Sequence, residues 1–291
     1  MINPFNKLKI KGSDIVLEIG SGHNPFYRSD ILCDKYITND ERLSSLKKDR
    51  PIVLADCSSL PFKTKSIDYA ICLQVLEHVE DPVKCCNEIS RVAKSGYIET
   101  PAMFWEKLHP SRDYHKWFIL NIDSTLVFVR KGKEENNSVF GNIFENMYSE
   151  SFEYRMLMRA YPELFEVKYE WKDKINVIVN PKEEYYLNYF VRPWDKQQMY
   201  KYCNKKKKSK YFGFTVNLFN CLLMYLINKP YVMLVTIFKE IRRRKLKINL
   251  NKYLVCPKCK TDLDYNYEGI TCNSCKQKYS YFENIPYLVL K

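Results

Sequence analysis

Ile15-Val16-Leu17-Glu18-Ile19-Gly20-Ser21-Gly22 is the stretch that decides the fold. A continuous apolar run that ends in an acid and then Gly-Ser-Gly is the pattern of a buried parallel strand breaking into a nucleotide-binding turn. Glycine permits positive φ there and lets the backbone approach a ligand with no Cβ in the way. The acid is as informative as the glycines. A carboxylate just ahead of the turn repels a pyrophosphate and attracts a cation such as an ammonium, which points away from a dinucleotide.

Downstream the pattern recurs. Ile31-Leu32-Cys33 ends at Asp34, placed to accept hydrogen bonds from ribose hydroxyls or simply to turn the chain. The distance from Gly22 to Asp34 is too short for a crossover helix, so a loop or a vestigial helix is expected there. A polar stretch around Glu41 to Lys48 reads as helical, and Ile52-Val53-Leu54-Ala55 ends at Asp56 with a loop, Cys57 to Phe62, closed through Pro61. An acid in that position can accept from an adenine amino group beside an apolar slot. Ile67 to Cys72 forms a fourth strand leading into Gln74-Val75-Leu76-Glu77-His78-Val79. Pro82 opens a helix capped by Asp81, and Gly96 to Pro101 makes a fifth strand. Strands alternating with helices, with polar residues at the strand ends, define a doubly wound, Rossmann-like, mostly parallel α/β sheet whose site lies at the carboxyl ends.

Leu17 to Gly22, Asp34, Ala55-Asp56 with Leu60-Pro61-Phe62, and Val75 to Val79 with Asp81-Pro82 together resemble the class I S-adenosylmethionine-dependent methyltransferases, specifically the type-11 group, over roughly the first hundred residues. The resemblance implies that Glu18 and the backbone of Gly20, Ser21 and Gly22 hold the methionine end of S-adenosylmethionine. Asp34 would hold the ribose and Asp56 the adenine, with Cys57 and Gln74 completing the cofactor-binding set. A cofactor carrying an ammonium and a sulfonium agrees with the cation inferred from Glu18. The short first crossover departs from the common family pattern.

Methyl transfer is an in-line displacement that needs alignment, plus a base when the acceptor is a hydroxyl. His78, just past the fourth strand, and His115 are the candidate catalytic residues; each can instead pack or orient its loop. The segment Leu108 to Phe118, with His109 and His115 beside Trp117, reads as an acceptor-binding loop or a plain polar loop. Trp117 to Leu120 and Leu126 to Val129 form a β-hairpin expected to complete or extend the sheet. Phe152 to Tyr161 reads as a helix, and Phe165 to Trp171 with Ile175 to Val179 as a further hairpin around Asp173. No Asn-Pro-Pro-Tyr-type tetrad, the feature associated with adenine or glutamine amino methylation, follows the fourth strand.

The composition changes near Lys201. Lys205 to Lys208 and Lys210 precede an apolar segment, Phe212 to Ile227; Asn228-Lys229-Pro230 interrupts it, Tyr231 to Phe238 resumes it, and Arg242 to Lys245 closes it. Neither apolar half reaches the roughly 20 residues of a bilayer span. Residues 205–245 therefore read as a basic-flanked helical hairpin on an anionic membrane surface, or as two helices packed between domains.

Cys256-Pro257-Lys258-Cys259 and Cys272-Asn273-Ser274-Cys275 are paired knuckles at the spacing that surrounds one structural Zn²⁺ with four thiolates. So short a region gains its stability from the metal. With Tyr279 to Phe282 and Ile285-Pro286-Tyr287-Leu288-Val289, residues 248–291 resemble the small zinc-ribbon activator of tRNA and translation-factor methyltransferases and its short bacterial relatives. The resemblance implies that this domain extends the sheet of its methyltransferase, supplied here in cis.

The chain's 291 residues thus divide into a methyltransferase domain, 1–190, a basic apolar-rich helical linker, 191–247, and a zinc ribbon, 248–291. A formal charge of +13 favours an anionic partner. The eleven cysteines include several within apparent strands and helices, as in a reducing compartment, and the first residues lack a secretory pattern; cytoplasmic residence, with membrane association through 205–245, is the expectation. The leading functional expectation is O-methylation of a glycan, lipid-linked sugar or lipid. RNA methylation with the ribbon as activator, and a non-catalytic cofactor-binding scaffold, are the alternatives.

Overall fold

In the computed structural model the described residues are 8–37, 44–110, 112–132, 140–203 and 247–290. The basic, apolar segment 205–245 lies outside them. The elements in chain order are β1 (Val16–Ile19), β2 (Ile31–Asp34), β3 (Ile52–Leu54), β4 (Ile67–Leu73), α1 (Pro82–Val92), β5 (Ala93–Pro101), α2 (Met103–Leu108), β6 (Trp117–Ile122) and β7 (Thr125–Arg130). There follow α3 (Gly141–Glu150), α4 (Phe152–Ala160), α5 (Pro162–Phe165), β8 (Glu166–Lys172), β9 (Val177–Val179), α6 (Glu184–Val191) and α7 (Lys196–Tyr202). The last four strands are β10 (Leu263–Asn266), β11 (Gly269–Cys272), β12 (Lys278–Phe282) and β13 (Ile285–Tyr287).

Two compact units result: Met1–Ile98 with Glu170–Ile175 and Lys239–Lys291, and Glu99–Tyr169 with Asn176–Phe238. The first contains a ten-stranded sheet in the order β10-β11-β12-β13-β3-β2-β1-β4-β5-β8. β1 pairs in parallel with both β2 and β4, and β2 in parallel with β3. β1 is buried along its whole length, Glu18 included. Val16, Phe26, Tyr69, Ile71 and Tyr97 form one core cluster, and Leu32, Leu46, Ile52 and Leu54 form another that takes in Ile285 of β13.

No helix joins β1 to β2, as the short spacing requires. Side chains hold the crossover instead. Glu18 Oε2 accepts from Phe26 N–H at 2.8 Å and from the Ser29 hydroxyl at 2.5 Å, while Arg50 donates to the carbonyls of Phe26 and Ser29. Arg28 pairs with Asp30 at 2.7 Å, and Asp30 in turn accepts the N–H of Val16 at the head of β1. Of the stretch Glu41 to Lys48 expected to be helical, 41–43 lie outside the described residues and 44–48 are not helical; their polar composition satisfies a surface loop equally well, with Leu46 turned into the core.

α1 begins as its sequence dictates. Asp81 accepts from Lys84 N–H at 2.9 Å, Pro82 occupies the first turn, and Cys85, Cys86, Ile89 and Val92 form its buried stripe. Arg91 reaches back to the carbonyls of Leu60 and Phe62 at 2.9 and 2.7 Å, fixing the loop after β3.

The four C-terminal strands form an antiparallel meander that enters the sheet through β13, which pairs in parallel with β3. Leu288 N–H donates to Leu54 O at 2.8 Å. The start of this region also meets the loop after β3: Val255 N–H donates to Pro61 O at 2.9 Å, Lys63 N–H to Tyr253 O at 2.9 Å, and the Ser59 hydroxyl to Pro257 O at 2.6 Å.

The second unit has its own core of Met103, Phe118, Leu120, Ile122, Val127, Tyr189 and Phe190. The β6–β7 hairpin forms as its alternation predicts, turning at Asp123 and Ser124, both at positive φ. It does not extend the large sheet. β6 and β7 join β9 in a separate three-stranded sheet, with β9 parallel to β7. The expected hairpin of 165–179 accordingly does not form: β8 is an edge strand of the large sheet, and β9 pairs elsewhere. Alternation identifies a strand and its faces but not its partner. Among the described residues no helix is long and apolar enough to cross a membrane.

Candidate functional site

The strand order reverses at β1, with β2 on one side and β4 on the other, so the carboxyl ends of these strands flank the crevice where open α/β sheets bind ligands. Gly20 and Gly22 both sit at positive φ, +70° and +53°. At Gly20 a Cβ would lie 2.1 Å from Val75 Cγ2, so glycine is needed for the β1 turn to pass the loop after β4. At Gly22 nothing stands within 4 Å of where a Cβ would be, and the backbone faces open space.

The turn is tied to β2. Gly20 N–H donates to Cys33 O at 2.8 Å, and Gly22 N–H to Asp34 Oδ2 at 2.9 Å, while Asp34 Oδ1 accepts from Tyr36 N–H at 3.1 Å. Ser21 Oγ is buried with no hydrogen-bond partner. A hydroxyl left so in the wall of a crevice costs on the order of 1 to 3 kcal/mol until a ligand satisfies it.

After β3, Asp56 caps a 3₁₀ turn, Cys57–Ser59, by accepting from Ser58 N–H at 2.8 Å, and it pairs with Lys35 at 2.8 Å. Burial would raise the Asp56 carboxyl, but Lys35 and the Ser58 N–H outweigh it and hold it below its ordinary value. Cys57 is buried behind it. After β4, Gln74 is exposed in the left-handed region at φ +55°, the kind of backbone strain that clusters at ligand sites. Glu18, Gly20, Ser21, Gly22, Asp34, Asp56, Cys57 and Gln74 all lie on or next to the carboxyl ends of β1 to β4. Lys35 joins this end of the sheet, directly after Asp34, whereas Ser29 and Arg50 precede β2 and β3 and brace the crossover from the strands' amino ends.

His78 follows β4 in the first unit. Its side chain is 28% exposed and its Nε2 lies 3.7 Å from Glu77 Oε1. In the second unit His115 is buried, its Nδ1 2.7 Å from Glu106 Oε1, and Lys131 Nζ bonds the other oxygen of the same carboxylate. Lys131 also stands over the Phe118 ring at 5.3 Å. Burial raises the Glu106 carboxyl, but His115 and Lys131 overcome it and hold it below its ordinary value. Glu106 and Lys131 are functional candidates that local sequence does not reveal, because they stand 9 and 16 positions from His115 with no motif linking them. His109 has a different setting from an acceptor loop. It is buried, stacks on Trp105 at 3.4 Å between ring centroids, packs near Tyr148 and Tyr154, and burial lowers its pKa.

Cys256, Cys259, Cys272 and Cys275 bring four sulfurs within 4.8 Å of one another, the only group of four such ligands among the described residues. Sγ–Sγ separations of 3.7 Å (Cys256–Cys275) and 3.3 Å (Cys259–Cys272) approach the edge of about 3.8 Å expected for tetrahedral zinc with Zn–S bonds of about 2.3 Å. The donor set fits Zn²⁺. Thr261 Oγ1 lies 3.1 Å from Cys259 Sγ and 3.2 Å from Cys272 Sγ, Tyr279 OH lies 3.1 Å from Cys256 Sγ, and Cys275 N–H points to Cys272 Sγ at 3.4 Å, an outer layer that orients the thiolates. With four cysteines as the donor set, a zinc ion held there would have no open position for water and would serve a structural role.

Residues 30–98 match the family model described as a methyltransferase domain. No curated protein matches the chain. Similar solved structures include the complex containing the Haloferax volcanii Trm112 methyltransferase activator, at 18% identity over 34% of this chain and 50% of that one, TM-score 0.28. A Thermotoga maritima S-adenosylmethionine-dependent methyltransferase aligns at 23% identity over 32% and 46%, TM-score 0.26. One from Mesorhizobium loti aligns at 13% identity over 56% and 94%, TM-score 0.30. The chain spans about half the length of the first two.

Proposed function

We propose that this chain, built on a class I S-adenosylmethionine-dependent methyltransferase domain, transfers a methyl group to a hydroxyl of a glycan, lipid-linked sugar or lipid. The observation that carries the methyl-transfer reading is the convergence of the Gly20–Gly22 turn with Asp34 and Asp56 at the strand-order reversal, the two aspartates lying within residues 30–98, which match the methyltransferase domain. Two features of the crevice support this cofactor. Ser21 offers an unsatisfied buried hydroxyl, and Gly22 leaves its space open.

Asp34 would accept from the ribose hydroxyls while keeping the glycine turn closed through Gly22 N–H. Asp56, kept ionised by Lys35, would accept from the adenine amino group, and Glu18 would lend negative charge to the ammonium end. When bound, the cofactor supplies an electrophilic methyl group on a sulfonium. The chain's own task is then to align the acceptor and remove its proton. The candidates for removing the proton are His78, which follows β4, and His115, whose Nδ1 is held by Glu106. Glu106 and Lys131 are positioning residues.

The pairing of β13 with β3 favours a second reading of the C-terminal domain, as an activator module in cis, and with it an RNA acceptor. Incubation with radiolabelled S-adenosylmethionine and either bulk tRNA or lipid and glycan extracts separates the two readings by where the label goes. A protein that binds the cofactor and labels neither would be a scaffold. Calorimetric titration tests the site itself: micromolar binding is expected for wild type, weakened about a hundredfold in Asp34→Ala, on the order of 2.7 kcal/mol. No binding by folded protein would overturn the reading.

A further inference from the structure

Beside the adenine-side loop the first unit collects five buried thiols: Cys33 on β2, Cys57 in the 3₁₀ turn, Cys72 on β4, and Cys85 and Cys86 on α1. Burial pushes Cys33, Cys72 and Cys86 up, which keeps them protonated and inert. The other two meet. Cys57 Sγ and Cys85 Sγ are 2.8 Å apart, closer than the roughly 3.5 Å or more of ordinary non-bonded heavy atoms. The hydrogen bond to Cys57, together with burial, pushes the Cys85 thiol up, so Cys85 keeps its proton and donates it toward the Cys57 sulfur.

Asp56 stands with these two thiols and could in principle share a metal ion with them. The spacing argues otherwise. Two thiolates on one tetrahedral ion stand about 3.8 Å apart, as the knuckle sulfurs nearly do, whereas a disulfide draws them to about 2.05 Å. Closing from 2.8 Å takes a movement of only about 0.8 Å.

We propose that Cys57 and Cys85 form a reversible disulfide, with a hydroperoxide as oxidant, that weakens cofactor binding. The Cys57 thiol gives up its proton and its sulfur attacks one oxygen of hydrogen peroxide; the O–O bond breaks and the other oxygen leaves with that proton as water. Cys85 sulfur then displaces the hydroxyl from the Cys57 sulfenic acid, and that hydroxyl leaves with the Cys85 proton as a second water. Two thiols lose two electrons and the peroxide gains them. Cys57 sits in the 3₁₀ turn that Asp56 caps, so drawing its sulfur onto Cys85 shifts the adjoining Asp56 carboxylate.

The effect on affinity rests on the cofactor reading above; the bridge itself does not. The zinc-loaded protein is treated with hydrogen peroxide, its free thiols are alkylated, and non-reducing peptide mapping is run beside zinc analysis and calorimetric titration with S-adenosylmethionine. The expected result is a peptide linking Cys57 to Cys85 before zinc is released, with affinity down at least tenfold and restored by dithiothreitol. Cys85→Ser, or Cys85→Ala should the first fail to fold, keeps the reduced-state affinity and loses the peroxide effect. Absence of the linked peptide while the knuckle cysteines oxidise overturns the proposal, as does a bridge that leaves affinity unchanged. If the reduced protein shows no cofactor binding, the functional reading fails separately, and the linked peptide still decides the bridge.

Discussion

Gly20 and Gly22 share a left-handed backbone but not their surroundings, and substitution separates the two effects. Gly22→Ala meets only backbone strain, about 1 to 2 kcal/mol. Gly20→Ala adds a collision with Val75 and should cost on the order of 3 kcal/mol. Urea unfolding would read the difference, and equal midpoints would refute it. Glu106 makes a pH-dependent prediction. Its carboxyl is held below the ordinary 4.5, so the folded state binds its proton later than the unfolded chain does. Its contribution is full above about pH 4.5 and is lost as pH falls through the lower folded value. Glu106→Gln should therefore cost on the order of 3 kcal/mol at pH 7, with the gap from wild type closing below about pH 4. A gap that persists unchanged to pH 3 would show that the ion pairs contribute nothing. The glycines and Asp34 were legible in sequence because backbone conformation and strand ends leave local signatures. Glu106 and Lys131 were not, since only tertiary packing brings them to His115.

Among the elements, β13 does most to bind the C-terminal domain to the sheet. Without it β3 would be an edge strand with an open row of hydrogen-bonding groups. Removing zinc, or substituting Cys256→Ser with Cys272→Ser, should free β13 and take Ile285 out of its cluster, a loss of about 1.5 to 3 kcal/mol from that side chain before the ladder is counted. The melting temperature should fall by about 5 to 10 °C, and amide exchange at Ile52 to Leu54 should quicken while β6 and β7 stay protected. Unchanged exchange at β3 would mean that the metal does not support the pairing. Strand identities were readable from β1 to β5, because each apolar run ends at a glycine or a polar residue, whereas β10 and β11 carry no such run. Partners were less so. The alternation of 165–179 gave two strands correctly and their pairing incorrectly, and the polar composition of 44–48 could not distinguish helix from loop without an apolar stripe to orient it.

At the scale of the molecule, the charge of +13 includes two dense basic runs, Lys205 to Lys208 and Arg242 to Lys245, that flank apolar sequence. Our proposal for 205–245 is attachment to an anionic bilayer surface. Flotation with vesicles containing phosphatidylserine should recover the protein at low salt and lose much of it above about 0.5 M, where charges are screened within a few ångströms; equal recovery with neutral vesicles would discard an electrostatic mode. The β13–β3 ladder has a consequence for how the molecule is made. Tyr287 pairs with Leu54 from roughly 230 residues downstream. At about 5 to 20 residues per second, translation leaves β3 without its neighbour for about 10 to 50 s, far longer than a hairpin takes to close. Throughout that interval the nascent sheet presents an open edge to every other chain around it, and the ribosome, rather than the fold, sets when that edge is sealed.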